Sequence, residues 1–448
     1  MFKKVSIIGF GHFGKTLYRL LKDDFEMIIY DKNRKVLNEL KGKIGVKAYS
    51  SLKDLKEVYK SEVIFYCIPI SAFEDVVSSH KQYLANQLLI DVLSVKQHPA
   101  LIFKKCLRNT KTEAILTHPM FGPDSSRNGF EDLPIVMNNL NASRESYKFW
   151  KKYFIKNKLR VVEITPKEHD KLAANSQGVT HFIGRLLKEF DIKPTRIDTL
   201  GAKKLQEIMD QTCNDTWELF LDLQTYNLYT KKMRVKFGKA YNSIYNKLLP
   251  KRISSKYIIY GIQGGIGSFN DEAVNLYIKK NKIKDYKIKY LYTTKKVLKN
   301  LHVGNIDYGL FAIHNSVGGV VQESIKAISN YKFKIVEEFS IPIKHFLMKR
   351  KDIKKENIDT FMTHPQVLKQ CKSSIKRKYP EMELKSGKGD LIGTAKVAYA
   401  LSKGEIDGKI AVLGPKQLAK MYDLEIIDKN LQDDKDNTTS FLLVRRNF

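Results

Sequence analysis

The segment Lys4-Val5-Ser6-Ile7-Ile8-Gly9-Phe10-Gly11-His12-Phe13-Gly14 constrains this chain more than any other. A short β-forming run enters a Gly-x-Gly-x-x-Gly loop, and a helical pattern from Lys15 to Leu21 leaves it. A second apolar run, Met27-Ile28-Ile29-Tyr30, ends at Asp31, which follows Gly9 by 22 positions. That context predicts a βαβ unit holding a dinucleotide at its first turn. Gly9 permits the tight turn, Gly11 lets the backbone approach the pyrophosphate, and Gly14 lets the helix pack on the sheet. The helix N-terminus offers free N–H groups and a partial positive charge to the phosphates. Asp31 would accept hydrogen bonds from the ribose 2′-hydroxyl and repel a 2′-phosphate, which favours NAD. Arg34, three residues on, keeps NADP admissible.

The buried runs Val63–Ile68 and Leu88–Asp91 continue the alternation of strand and helix. The expectation is an α/β fold that opens with a doubly wound, parallel, Rossmann-type domain over residues 1–164. From about Pro166 the pattern is helical as far as Lys247, giving an all-helical domain over 165–249. The polar, helix-breaking stretch around Pro250-Lys251-Arg252 marks a linker at 250–256, and a further α/β domain occupies 257–448. A chain of 448 residues is too long for one core. Its net charge of +31 comes from 79 Lys and Arg against 48 Asp and Glu. The lysines are spread along the whole length rather than gathered in a stripe, so nucleic acid is not an expected partner. Their field would instead draw anionic cofactors and dicarboxylates. No 18-residue apolar run and no signal peptide are seen, so a cytoplasmic protein without a membrane span is expected. The four cysteines, Cys67, Cys106, Cys213 and Cys371, form no paired motif, and neither a metal site nor a disulfide is expected.

His118 lies in Thr117-His118-Pro119-Met120-Phe121-Gly122-Pro123. A histidine held between a strand end and a proline-stiffened loop suits general-base work near neutral pH. Downstream, Asp170, Gln177 and His181 would fall within about 40° of one another on a continuous helix at 100° per residue. Ala174 shares that stripe, and a polar stripe amid small residues suits an anion site. His169 reads as a cap or as a partner of a site residue.

With Asp91-Val92-Leu93-Ser94-Val95-Lys96, Glu168-His169-Asp170-Lys171-Leu172-Ala173-Ala174 and Asp215-Thr216-Trp217-Glu218-Leu219-Phe220, these motifs resemble the prephenate/arogenate dehydrogenases over about residues 3–245. The plant-like arogenate dehydrogenases are nearest in flavour. The resemblance implies NAD(P)-dependent oxidative decarboxylation of a cyclohexadienol, with His118 as the base and Ser94 bonded to the same ring hydroxyl. It also implies substrate binding by His181, Gln177 and Asp170, and a homodimer formed through the helical domain. Many bacterial members carry an arginine about nine residues before the tryptophan matched by Trp217. Here Leu205-Gln206-Glu207-Ile208-Met209 holds none, so prephenate and arogenate both stay open.

From Tyr257 onward the chain resembles prephenate dehydratase, on Gln263-Gly264-Gly265-Ile266-Gly267-Ser268-Phe269, Asn315-Ser316, Thr363-His364-Pro365-Gln366, Gln370-Cys371 and Asn437-Thr438-Thr439-Ser440-Phe441. The family fold has two α/β lobes, like a periplasmic binding protein. The implied reaction converts prephenate to phenylpyruvate without a cofactor. Thr439 would protonate the leaving hydroxyl, while Asn315, Ser316, Thr363 and Gln370 supply neutral donors. The Gly264–Gly267 turn would present backbone N–H groups to an anion. Two residues depart from the family pattern: His314 stands where Glu precedes Asn-Ser, and Ser440 where Arg follows the threonine. Two readings therefore stand, a bifunctional enzyme and a dehydrogenase with a ligand-sensing domain. Feedback through a following regulatory module is not expected.

Overall fold

A computed structural model of the chain describes residues 2–446 apart from 254, 388–390 and 392, with only the backbone described at 366. Residue 254, in the expected linker, lies outside the described residues. The molecule divides into two compact units, 1–240 and 241–448. That division falls inside the helix Thr230–Leu248, ahead of the polar stretch at which the sequence placed it.

The first unit is built on eight strands: β1 (Lys4–Ile8), β2 (Glu26–Tyr30), β3 (Val46–Tyr49), β4 (Val63–Tyr66), β5 (Leu88–Asp91), β6 (Glu113–Pro119), β7 (Pro134–Asn139) and β8 (Arg160–Glu163). They lie in the order β3-β2-β1-β4-β5-β6-β7-β8. The first six run parallel; β7 pairs antiparallel with β6, and β8 runs parallel to β7, so the sheet is not wholly parallel as expected. Strand order reverses between β1 and β4, the crevice where such sheets bind ligands. Alternation along each strand feeds two cores. Val5, Ile7, Phe65 and Ile90 pack with Trp150 and Phe154 on one face, while Ile8, Ile64, Tyr66 and Leu89 pack with Phe103 on the other.

Helices follow from Pro166, and three of them are opened by a capping threonine. Thr165 accepts from the Glu168 N–H, Thr199 from Ala202 and Thr216 from Leu219. The helix expected to run through Asp170 and His181 breaks at Ser176 (φ −116°, ψ −90°) into Pro166–Asn175 and Gln177–Glu189. Asp222, on the helix Trp217–Tyr226, accepts from the N–H and hydroxyl of Ser71, both at 2.9 Å, and ties the helices to the loop after β4.

The second unit holds two lobes of one plan. The first contains β9 (Ile258–Ile262), β10 (Tyr286–Tyr290), β11 (Tyr308–Asn315), β12 (Gly319–Val320) and β13 (Lys334–Pro342). The second contains β14 (Phe346–Lys349), β15 (Thr360–Met362), β16 (Glu383–Lys385), β17 (Ile410–Gly414) and β18 (Glu425–Asp428). The chain then returns, and β19 (Thr438–Arg445) enters the first lobe between β11 and β13. The sheets read β10-β9-β11-β19-β13 and β16-β15-β17-β14-β18. In each, three parallel strands adjoin an antiparallel pair, and the chain crosses between lobes twice. No described helix is long and apolar enough to cross a membrane.

Candidate functional site

The turn after β1 needs its glycines. Gly9 has φ +96°, and a Cβ there would meet the Cys67 carbonyl oxygen at 2.2 Å; one on Gly14 would meet the Gly9 carbonyl at 2.2 Å. Nothing lies within 4 Å of a Cβ built on Gly11, so that backbone faces open space. The helix His12–Leu21 begins there without a side-chain cap, which leaves its first N–H groups for a ligand. Asp31 accepts from the Phe10 N–H at 2.7 Å and the Asn33 N–H at 2.8 Å. Its carboxylate is thereby fixed at the end of β2, with lone pairs to spare. This cradle fits a dinucleotide.

Beside the loop is a cavity of about 390 Å³. Ser94, His118, Gln177 and His181 line it, together with His12, Cys67, Asp124, Thr180, Gln211 and Asp215. Among the described residues no lysine or arginine lines it. The missing arginine noted in the sequence is therefore not replaced at the wall.

His118 sits one residue from the end of β6, 2 % exposed, and its position has a visible cause. The buried Lys96 ammonium binds the Asp91 carboxylate and the Thr117 carbonyl. Asp91 also accepts from the Thr117 N–H, and its own carbonyl accepts from the Thr117 hydroxyl. Burial pushes the Asp91 carboxyl up to about 6 and the Lys96 amine down, and each holds the other charged.

Behind His118 stands a chain of three groups. Asp170 accepts from the backbone N–H groups of Lys96 (2.8 Å) and Gln97 (3.0 Å) and lies 2.8 Å from His169 Nδ1. A carboxylate only accepts, so His169 Nδ1 carries the hydrogen and its Nε2 is bare. His118 Nδ1, 2.8 Å from that Nε2, must then donate, and the remaining His118 nitrogen, Nε2, is left basic. Burial lowers both histidines below the ordinary imidazole value, so the neutral ring is the resident form.

Asp170 therefore does not line the cavity with Gln177 and His181 as the helical stripe implied. The break at Ser176 interrupts that stripe, and the carboxylate is consumed by Lys96, Gln97 and His169. His169, read as a partner or cap, sits as the partner of His118. Asp215 was quoted in a motif without a role, yet it lines the cavity 3.8 Å from His181 Nδ1. The signal was its place beside Trp217. Arg185 donates to the Asp215 carbonyl at 2.6 Å and stacks over Trp217 and Phe220.

In the second unit Asn315 and Thr439 face each other across β11 and β19. Asn315 Nδ2 donates to Thr439 Oγ1 at 2.9 Å and to Asn437 Oδ1 at 2.7 Å, and Gln370 Nε2 donates to Asn315 Oδ1 at 3.2 Å. Ser316 accepts from the Thr438 N–H at 2.9 Å on the exposed rim. Thr363 belongs to another set: its hydroxyl donates to the Leu413 carbonyl at 2.6 Å, so the donor expected for a ligand is spent inside the lobe. The expected anion turn has also lost a donor, because the Gly267 N–H binds Asp271 at 2.8 Å. The two departures from the family pattern prove to be one. His314 pairs with Ser440 across the strands, on the face opposite Asn315 and Thr439, and the Ser440 hydroxyl meets that of Ser340 at 2.8 Å. The exchange at 440 thus takes nothing from the face of the sheet that carries Thr439.

Fold and sites together define a dinucleotide-binding α/β unit followed by a two-lobed α/β unit. Comparison with known proteins gives matches to "Prephenate dehydrogenase, nucleotide-binding domain" over residues 18–163, "TYRAAT1-like, C-terminal domain" over 186–256 and "Prephenate dehydratase" over 260–448. Arogenate dehydrogenase 2, chloroplastic, of Arabidopsis thaliana is 30% identical over 253 residues, covering 55% of this chain and 70% of that protein. Arogenate dehydrogenase 1, chloroplastic, of the same plant is 32% identical over 253 residues, 55% of this chain and 39% of its own length. Its arogenate dehydratase/prephenate dehydratase 1, chloroplastic, is 32% identical over 142 residues, 32% of this chain and 34% of that protein. The chain thus spans about two fifths of arogenate dehydrogenase 1 and about a third of the dehydratase relative. It belongs to the prephenate/arogenate dehydrogenase family, and its second unit is a prephenate dehydratase domain.

Proposed function

We propose that this chain is a bifunctional enzyme of aromatic amino acid biosynthesis that acts on arogenate or prephenate at the first site and on prephenate at the second. The observation that carries the first half is the chain from Asp170 through His169 to a basic His118 Nε2 in a cavity beside an open glycine loop. Gly9, Gly11, Gly14 and the helix after them would hold the dinucleotide, with Asp31 favouring NAD. When bound, it supplies the acceptor for a hydride leaving C4 of the substrate ring. His118 takes the C4 hydroxyl proton, with Ser94 bonded to the same oxygen. The ring carboxylate departs as CO₂, its bonding pair aromatises the ring, and the resulting phenolate takes the proton back from His118.

Asp215 supports arogenate over prephenate. A carboxylate on a wall without lysine or arginine favours a substrate side chain that carries an ammonium group and disfavours a second bare anion. In the second unit, Thr439 gives its proton to the departing C4 hydroxyl while the ring carboxylate leaves as CO₂ and its bonding pair aromatises the ring, forming water and phenylpyruvate; the threonine then regains a proton from solvent. The placement of His314 and Ser440 on the far face supports turnover there over ligand sensing alone. Four free cysteines suit a reducing compartment such as the cytoplasm. The helical segment leaves Phe190 and Leu200 at helix ends, and Ile197 and Leu228 in the connecting turns, exposed, which supports burial against a second copy.

The test is to supply purified protein with arogenate and with prephenate, with and without NAD, and to identify the products. The expected result is NADH and tyrosine from arogenate with NAD, and phenylpyruvate from prephenate without it. No NADH from either substrate would remove the first half of the proposal.

A further inference from the structure

His345 lies where the chain leaves the first lobe for the second, between β13 and β14, and is fully buried. Its backbone clasps the return crossing: the N–H donates to Gln432 Oε1 at 3.1 Å, and the carbonyl accepts from the Leu431 N–H at 3.1 Å. Its ring meets Phe269 edge to face, and Nε2 lies 2.8 Å from Gln370 Oε1. Nδ1 is buried without a hydrogen-bond partner among the described residues.

The direction of every bond in this cluster follows from two backbone donors. The N–H groups of Val317 and Gly318 point at Asn315 Oδ1 at 3.1 and 2.7 Å, so that atom must be the amide oxygen. Gln370 must then turn its NH₂ toward Asn315 and its oxygen toward His345, where it also accepts from Asn437 Nδ2. His345 Nε2 must in turn carry the hydrogen. At the other end, the Asn315 NH₂ donates to Thr439 Oγ1, which occupies one lone pair of the hydroxyl and leaves its proton uncommitted. A reversed Gln370 would set oxygen against oxygen at Asn315 and turn one of the contacts that seat this amide beside the threonine from attraction to repulsion.

We propose that His345 is a positioning residue for the dehydratase step, ordering the Gln370–Asn315–Thr439 chain so that the threonine proton points to the departing hydroxyl. The inference rests on the dehydratase reading of the second unit. Burial holds the imidazole down at about 4, so it stays neutral and keeps one tautomer across the working range.

The experiment compares the whole chain with His345→Leu and His345→Gln, reading phenylpyruvate formation from prephenate and NAD-linked turnover side by side. The leucine variant should lose about tenfold or more in kcat, the effect of removing one buried donor from a network, with KM little changed. The glutamine variant, whose Nε2–H reaches the same acceptor, should recover most of that loss, and the NAD-linked rate should hold in both. Equal kcat in the leucine variant overturns the proposal, as does a glutamine variant that falls as far as leucine. Independently of folding in either variant, ¹⁵N-resolved spectra of the unmodified protein should show His345 protonated at Nε2 and bare at Nδ1. The opposite tautomer overturns the proposal outright. An unmodified protein that forms no phenylpyruvate defeats the dehydratase reading itself, which separates the two failures.

Discussion

At the scale of single residues, the chemistry of the first site turns on where one proton sits. His118→Ala should lower NAD-linked turnover by about a hundredfold or more, the usual worth of a positioned base, while dinucleotide binding measured by fluorescence stays near normal. Survival of most of the turnover would exclude His118 as the base. Burial lowers the His118 pKa, so its basic form is present at and above the ordinary imidazole value of 6.5 and is lost only as pH falls below it. The profile of kcat/KM should therefore be flat through neutrality, with an acid limb beneath that value; a limb at 7 or higher would contradict the assignment. Lys96 is a stability residue by the same reasoning. Lys96→Met strands the Asp91 carboxylate in the interior and should cost about 3–5 kcal/mol, read from the urea midpoint. That His118 and Ser94 come to one cavity was legible, because local motifs carry them. The role of Asp170 was not, because the N–H groups it satisfies belong to Lys96 and Gln97, more than 70 positions away.

Elements were legible where one pattern decided them and obscure where neighbours did. The strand, glycine loop and helix at residues 4–21 need only local chemistry, and the structure has them as read. The break at Ser176 has no proline to announce it, and Gly178, two residues on, lies inside the helix that follows. The antiparallel course of β7 is likewise invisible in a strand that reads like its parallel neighbours. Pairing across β11 and β19 was hidden as well, because its residues lie more than 120 positions apart, and so the departures at His314 and Ser440 read as two losses rather than one. The helices of the first unit make a prediction at this scale. Phe190 and Ile197 are 78 % and 82 % exposed, so sedimentation velocity should give the mass of two chains, and Phe190→Glu with Ile197→Glu should give one. A single-chain mass for the unmodified protein at micromolar concentration would count against the dimer.

For the whole molecule, two compact units imply two separable activities. Thr439→Ala should abolish phenylpyruvate formation and spare the NAD-linked reaction, with both followed in one sample. Loss of both together would mean that the units depend on each other for folding or turnover. The routing of the chain through the second unit has a further consequence. β19 fills the gap between β11 and β13, yet it follows them only after the entire second lobe. On the ribosome, at about 5–20 residues per second, the first-lobe sheet would wait several seconds or more for the strand that joins β11 to β13. Throughout that interval β11 and β13 present bare edges, the state in which nascent strands find wrong partners. Crowded, rapid expression should thus trap this protein in aggregates more readily than slow synthesis in the cold.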